Sequence, residues 1–420
     1  MAFRILIPDE LPYSSGVENV VVAIVREWLP EVDSITWIVR NTSRSSELEK
    51  RFDHSPKLKF ETFFKETSTP ARLPSRVFGM LKAAVKKLPI LRDRAEAAYR
   101  RILDSRIAEV ARDSDSTHCW FHFVQGQSMP VLKIPVCGLV HDQNFRFFPE
   151  NLPQGKSLQF EGALKQWLRE ADMMSVLSEK GKREMLELNP APRATIEIIP
   201  NAITPSSSEN FQRNPAQEPL FFYPAAALSH KNHLLLFQAA HLIAKAGKSF
   251  RIVICGKETE DLLQDQPMEN PGVESARLFF QQHKAIMSGH LEALGQCSMN
   301  RVNQLYAECW AVVLPSRYEG FGLPLVESLA RNAPVLCSHL TPFKEQVERY
   351  HAKEWVKWFS PDDSTQLAQL LENSINNPPK PNTPRFPTEN LSAWTWKHVA
   401  HRYLELFEVL KRQSTLSKES

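Results

Sequence analysis

The sequence predicts an α/β protein made of two doubly wound lobes, each with a parallel sheet. Three observations predict it. Short apolar runs alternate with longer helical stretches, the alternation restarts after residue 200, and a polar, proline-containing segment at 204–219 separates the two series. A chain of 420 residues holds two domains at the usual ~100–200 residues each. The expected bounds are 1–200 and 201–390, followed by a last helix and tail at 391–420.

In the first series, residues 3–7 (FRILI) read as a buried strand, 17–29 as a helix and 34–39 as a strand. Further strands are expected at 119–124, 136–140, 173–177 and 195–199, with 179–188 helical between the last two. In the second series, 220–223, 250–255, 309–314 and 334–337 read as strands, and 234–246 and 324–331 as helices. A proline-rich stretch at 377–387 precedes a helix over 394–411, which carries Trp396, Val399, Tyr403 and Phe407 at helical spacing.

Charge narrows the function classes. Lys plus Arg number 51 against 48 Asp plus Glu, so a net charge of +3 gives no electrostatic footprint for nucleic acid. One stretch is locally basic: residues 72–106 hold ten Lys/Arg against three acids. Within it Val77, Phe78, Leu81, Val85 and Leu88 share a helical face that Lys82, Lys86 and Lys87 avoid. Such a helix either packs its apolar face on the first sheet or lies on an anionic membrane. No aromatic stacking platform accompanies the charge, so a nucleic-acid partner is not expected. The six cysteines form no CxxC pair and mostly fall in apolar segments, as reduced buried thiols do. The first apolar stretch is cut short by Pro8, Asp9 and Glu10, too early for a signal peptide, and no run approaches a membrane span. A cytoplasmic chain is expected, peripheral at most to the inner face of a membrane.

The most informative string is PSRYEGFGLPLVE, residues 315–327. It leaves a strand at its carboxyl end and opens a helix, which is where open parallel sheets bind ligands. Gly320 and Gly322 let backbone approach a ligand closely, and Pro324 suits a first helical turn. The free amides of that turn favour an anion. Glu319 and Glu327 flank the loop, and carboxylates accept hydrogen bonds from sugar hydroxyls. An anion site beside hydroxyl acceptors describes a nucleotide-sugar pocket, with Glu327 expected in the helix's first turn; as a bare pair, the two acids would merely complement the helix dipole.

This string resembles the E-x(7)-E signature of retaining glycosyltransferases of the GT-B fold, family four (the group 1 type). The likeness extends over nearly the whole chain. YPAAALSHKNHLLLFQAA at 223–240 resembles the segment carrying a diphosphate-binding lysine, here Lys231; IIPNAI at 198–203 resembles the junction into the donor domain. VCGLVHDQNFRFFPENLP at 136–153 is similar to the acceptor-side His-Asp segment, and YSSGVENVVVAI at 13–24 to the first phosphate-side loop and helix. The resemblance implies two Rossmann-like domains facing a central cleft and a final helix crossing back to the first. It implies transfer of a sugar from a nucleotide diphosphate to a hydroxyl acceptor, a glycan or lipid-linked glycan, with retention, in polysaccharide or glycolipid synthesis.

Residue by residue, the resemblance gives Glu319, His141 and Lys231 the catalytic roles. It gives donor contacts to Gly16, Lys231, Glu319, Gly320, Phe321, Gly322, Leu323 and Glu327. Ser178 and Asn201 are weaker cleft candidates that equally suit helix or turn caps; Asn232 either caps a helix or touches ligand, and Asp142 orients His141 or caps a turn. Two departures stand out: Ser15 where a second glycine is usual, and Ala226 where an arginine commonly sits, with Arg317 as a substitute cation. Asp113/Asp115 and Asp362/Asp363 lack accompanying ligands, so neither a metal nor a cofactor is expected. The competing readings are a degenerate partner subunit, a nucleotide-sugar epimerase and a sugar phosphorylase, the last of which needs a lysine for a pyridoxal cofactor that nothing here marks.

Overall fold

The computed structural model describes residues 3–10, 16–64, 89–124, 126–204, 213–214, 216–378 and 386–419. Its first lobe is a seven-stranded sheet in the order β3-β2-β1-β4-β5-β6-β7, and its second a six-stranded sheet in the order β10-β9-β8-β11-β12-β13. The first set comprises β1 Arg4–Pro8, β2 Ser34–Val39, β3 Leu58–Thr62, β4 His118–Phe121, β5 Val136–Val140, β6 Met173–Val176 and β7 Thr195–Ile198. The second comprises β8 Leu220–Pro224, β9 Arg251–Cys255, β10 Leu291–Ala293, β11 Ala311–Leu314, β12 Val335–Ser338 and β13 Val356–Phe359. Every pairing is parallel. Two doubly wound, parallel-sheet lobes are therefore confirmed.

Central strands such as VCGLV of β5 and AVVL of β11 are buried at every position, because helices cover both faces of each sheet. That is why their apolar runs are legible. The strands that escaped the sequence reading, β3, β10 and β13, lie at sheet edges. β3 alternates partly buried and exposed residues, and β10 is three residues long, so neither makes a continuous apolar run. β4 ends at Phe121 instead of continuing to Val124.

Each order reverses direction about a pair of neighbours, β1/β4 in the first sheet and β8/β11 in the second. At such a switch point the loops leave in opposite directions and open a crevice at the carboxyl ends.

The last helix, Trp396–Glu419, crosses back onto the first lobe. Trp28 Nε1 donates to the Ala400 carbonyl at 2.9 Å, and Tyr403 Oη meets Ser175 Oγ at 2.8 Å. Trp28 packs edge-on against Trp120, at 4.9 Å between ring centroids, and against Tyr403 at 5.8 Å. Before this helix, Trp394 Nε1 donates to the Pro200 carbonyl at the interlobe junction. The periodic Tyr403 and Phe407 of the sequence are thus the helix's first-lobe face, and both are fully buried.

Part of the basic stretch, including Lys82, Lys86 and Lys87, lies outside the described residues. In the described part, helix Pro89–Asp113, Arg100 pairs with Glu10 at 2.7 Å and Arg106 with Glu61 at 2.8 Å. Those two cations are matched by the protein itself. Among the described residues no helix is long and apolar enough to cross a membrane. All six cysteines are free thiols, five of them buried.

Candidate functional site

The second sheet's switch point assembles the site. Lys231 sits in a short 3₁₀ turn, Ser229–Lys231, after β8, and Glu319 sits in the loop after the neighbouring strand β11. Lys231 Nζ donates to Glu319 Oε1 at 2.7 Å, and Ser316 Oγ donates to the same oxygen at 2.7 Å. Both charged side chains are mostly covered, at 17% and 11% exposed, so their attraction is screened less than that of a surface pair. The backbone beneath is tied down. Tyr223 Oη donates to the Lys231 carbonyl, and the Arg317 amide donates to the His230 carbonyl at 2.8 Å, joining the two loops. Asn232 adopts a left-handed φ of 59° and donates to the Pro315 and Pro361 carbonyls at 3.0 and 2.8 Å. Its side chain stitches strand ends together instead of capping the helix.

The first lobe meets this pair from the other side. A β-carbon built on Gly320 would lie 2.0 Å from the His141 carbonyl oxygen and 2.8 Å from Asp142 Cβ. Only glycine at 320 permits the two lobes to touch there. His141 follows β5 and donates from Nε2 to the His122 carbonyl at 2.8 Å, which fixes its tautomer and leaves Nδ1 as an acceptor. Burial pulls its imidazole down to about 4, so the ring is neutral near pH 7. Asp142 accepts from the Asn144 amide at 3.0 Å in a turn. Burial raises its carboxyl; the Asn144 hydrogen bond and Lys231 lower it, and Glu319 and Glu184 raise it. The structure thus brings Lys231, Glu319, His141 and Asp142 to one interlobe crevice.

The remaining expected residues divide. Gly322 has φ +89° and would drive a β-carbon into Phe343, so its glycine serves the helix start. Both loop glycines, read from sequence as ligand approaches, therefore have protein-contact reasons of their own. Phe321 is buried, leaving only its backbone for a ligand. The helix runs Leu323–Ala330, which corrects the placement of Glu327: it stands in the second turn, not the first. There Glu327 Oε2 accepts from Tyr306 Oη at 2.9 Å, and Oε1 remains for a hydroxyl. Gly16 begins helix Gly16–Trp28 and is exposed, with nothing within 4 Å of a built β-carbon; Ser15 and the loop before it lie outside the described residues. Ser178 caps its helix by accepting from the Gly181 amide, and Asp363 caps by accepting from Gln366. Arg317 is half-exposed and pairs with Asp362 at 3.4 Å. Among the described residues no group of three His, Cys, Asp or Glu gathers as metal ligands do.

Residues 206–385, which span β8 to β13 and both halves of the charged pair, match the family model for glycosyl transferases group 1. The second lobe is a glycosyl transferases group 1 domain. The serotype-specific mannosyltransferase WbdA of Escherichia coli is 25% identical over 214 residues, 50% of this chain and 24% of that protein. The O-antigen chain mannosyltransferase RfbU of Salmonella typhimurium is 23% identical over 239 residues, 56% of this chain and 59% of that protein. The chain thus spans less than two thirds of either relative. Sucrose-phosphate synthase from Thermosynechococcus elongatus superposes with a TM-score of 0.62 at 14% identity, covering 97% of this chain and 99% of that one. The fold of the chain is GT-B.

The sequence reading passed over several residues that hold the site together. Tyr306 and Ser316 orient the two glutamates, and Tyr318, Glu184 and Asn151 join the lobes. Tyr318 lay inside the quoted string, but its role depends on a partner 134 residues away. Asn151 carried no signal at all.

The chain also has an acid liability that the geometry explains. Burial holds His118 and His141 at about 4, His233 at about 3 and His230 at about 2, the last two pushed further by Lys231. Their unfolded counterparts take up protons below about 6.5, when the folded rings cannot. Stability is therefore full above about 6.5 and falls as the pH drops towards 4, at up to ~1.4 kcal/mol per pH unit per histidine. His118 Nε2 donates to the Phe407 carbonyl at 2.9 Å, a bond that glutamine can replace. Denaturant titrations at pH 7 and pH 5 are expected to show a smaller stability loss for His118→Gln than for the wild type; equal losses would contradict this assignment.

Proposed function

We propose that the chain transfers a hexosyl group, mannosyl by analogy with its relatives, from a nucleotide diphosphate sugar to a hydroxyl of a glycan acceptor. The observation that carries this reading is the Lys231–Glu319 pair, seated at a switch point and met across the crevice by His141. The second lobe holds the donor. Lys231, its remaining ammonium protons directed to phosphate oxygens, offsets the charge that develops on the departing diphosphate. Glu319 accepts sugar hydroxyls through Oε2, and Glu327 accepts from the ribose through Oε1. Neutral His141 accepts a hydrogen bond from the transferred sugar through Nδ1.

In the reaction the bond from the anomeric carbon to the diphosphate oxygen breaks, and its electron pair leaves with the diphosphate. The acceptor oxygen attacks the same face and forms the new bond, while its proton passes to a phosphate oxygen. That course retains configuration and requires no protein nucleophile and no metal. The contact of Gly320 with His141 supports a closed form in which water is kept from the oxocarbenium-like transition state. Arg317, whose backbone is bonded beside Lys231, supplies a second cation where Ala226 offers none. Incubation with radiolabelled GDP-mannose, UDP-glucose and ADP-glucose and a lipid-linked oligosaccharide acceptor tests the reading. Product carrying the label, with an anomeric configuration equal to the donor's, supports it. Inverted product refutes retention, and binding of a donor without transfer or slow hydrolysis favours the partner-subunit reading.

A further inference from the structure

Each of the two paired charges has, as its immediate neighbour in sequence, a residue anchored to the opposite lobe. Beside Glu319, Tyr318 reaches into the first lobe and is buried there. Its hydroxyl donates to Glu184 Oε2 at 2.7 Å and accepts from the Gln143 amide at 2.9 Å, two residues beyond His141. Its ring stacks on Phe147 at 5.3 Å and lies 3.4 Å beneath Lys180 Nζ, which itself pairs with Glu184. Burial and Glu184 raise the Tyr318 phenol, so it stays a donor.

Beside Lys231, the neighbours Ser229 and His230 are held by Asn151 of the first lobe. Asn151 Oδ1 accepts from the Ser229 amide at 2.9 Å and from Asn270 Nδ2 at 2.9 Å. Asn151 Nδ2 donates to His230 Nδ1 at 3.0 Å, an acceptor because that ring stays neutral. The two second-lobe loops are joined by the Arg317 amide on the His230 carbonyl, so a shift at one anchor is felt at the other.

We propose that Tyr318 and Asn151 are positioning residues that make lobe closure and the alignment of Lys231 with Glu319 a single event. Neither touches the donor. Each fixes the backbone one or two positions from a charged group that does, and each does so only when the lobes are together. This deepens the transferase reading and rests on it for its kinetic consequence, but the closure itself is measurable without catalysis.

Tyr318→Phe keeps the ring and removes the hydroxyl, and Asn151→Ala removes all three side-chain hydrogen bonds. Small-angle X-ray scattering of the full chain with saturating GDP is expected to show wider lobe separation in both variants than in the wild type. In the transfer assay each variant is expected to lose about ten- to a hundredfold in kcat, the scale of a lost hydrogen bond to a charged group, with donor KM within about threefold of wild type. A purely structural role would lower the melting temperature and leave kcat and the scattering profile alone, and that result overturns the proposal. If the wild type transfers sugar but the variants neither open nor slow, the anchors fall and the transferase reading stands. If the variants open but the wild type transfers no sugar from any donor, the anchors stand and the transferase reading falls.

Discussion

Lys231→Ala is expected to lower kcat for sugar transfer by about two to three orders of magnitude, the ~2.7–4 kcal/mol that one preorganised charge-stabilising contact contributes. The Lys231 ammonium bonds Glu319 and is mostly enclosed. Removing it costs the diphosphate its counter-charge and takes from Glu319 the stronger of the donors on Oε1, leaving the Ser316 hydroxyl there. The reciprocal change, Glu319→Gln, removes the charge that steadies Lys231 while keeping a hydroxyl acceptor and its size. If the two groups act as a unit, the double variant loses less than the product of the single losses. Steady-state rates for the four proteins check this; fully multiplicative losses would show that the pair does not cooperate.

Gly320→Ala should be the second large effect, and it acts by geometry alone. The added carbon would sit 2.0 Å from the His141 carbonyl oxygen, a backbone atom of β5's trailing residue that has no rotamer to yield. Either the second-lobe loop shifts and carries Glu319 with it, or the lobes stay apart. Transfer is expected to fall by about a hundredfold or more, given that misplacement by about an ångström is enough for such a loss. Nucleotide affinity, which depends on the second lobe, should change little. Gly16→Ala provides the contrast, because a β-carbon there meets nothing within 4 Å and the fold has no steric reason to resist it. Its melting temperature should match wild type, so any loss in Gly16→Ala reports on donor contact. Equal activity of Gly320→Ala and wild type would mean that the contact with His141 is not part of the working state.

Most of the scaffold was legible because central parallel strands, buried on both faces, leave continuous apolar runs such as VCGLV and AVVL. The edge strands left weaker traces: the partly polar LKFET of β3 is covered on one side only. The charged pair was legible too, since Lys231 and Glu319 each follow a strand, and β8 and β11 turned out to be neighbours. What sequence could not supply was the source of the glycine requirements. Gly320 answers to a carbonyl in the other lobe and Gly322 to Phe343, contacts set by tertiary packing. The same holds for Tyr306, which orients Glu327 from a helix 21 residues earlier, and for Asn151, an ordinary polar residue whose importance comes from what lies opposite.

The central claim is that Lys231 receives the diphosphate of a nucleotide donor. Isothermal titration of GDP, UDP and ADP into wild type and Lys231→Ala tests it most directly. At least one of the three nucleotides is expected to bind the wild type, and Lys231→Ala to weaken that binding by about tenfold or more, as loss of a charge-assisted phosphate contact should. Undiminished affinity in Lys231→Ala, or no binding of any of the three nucleotides to the wild type, would contradict it.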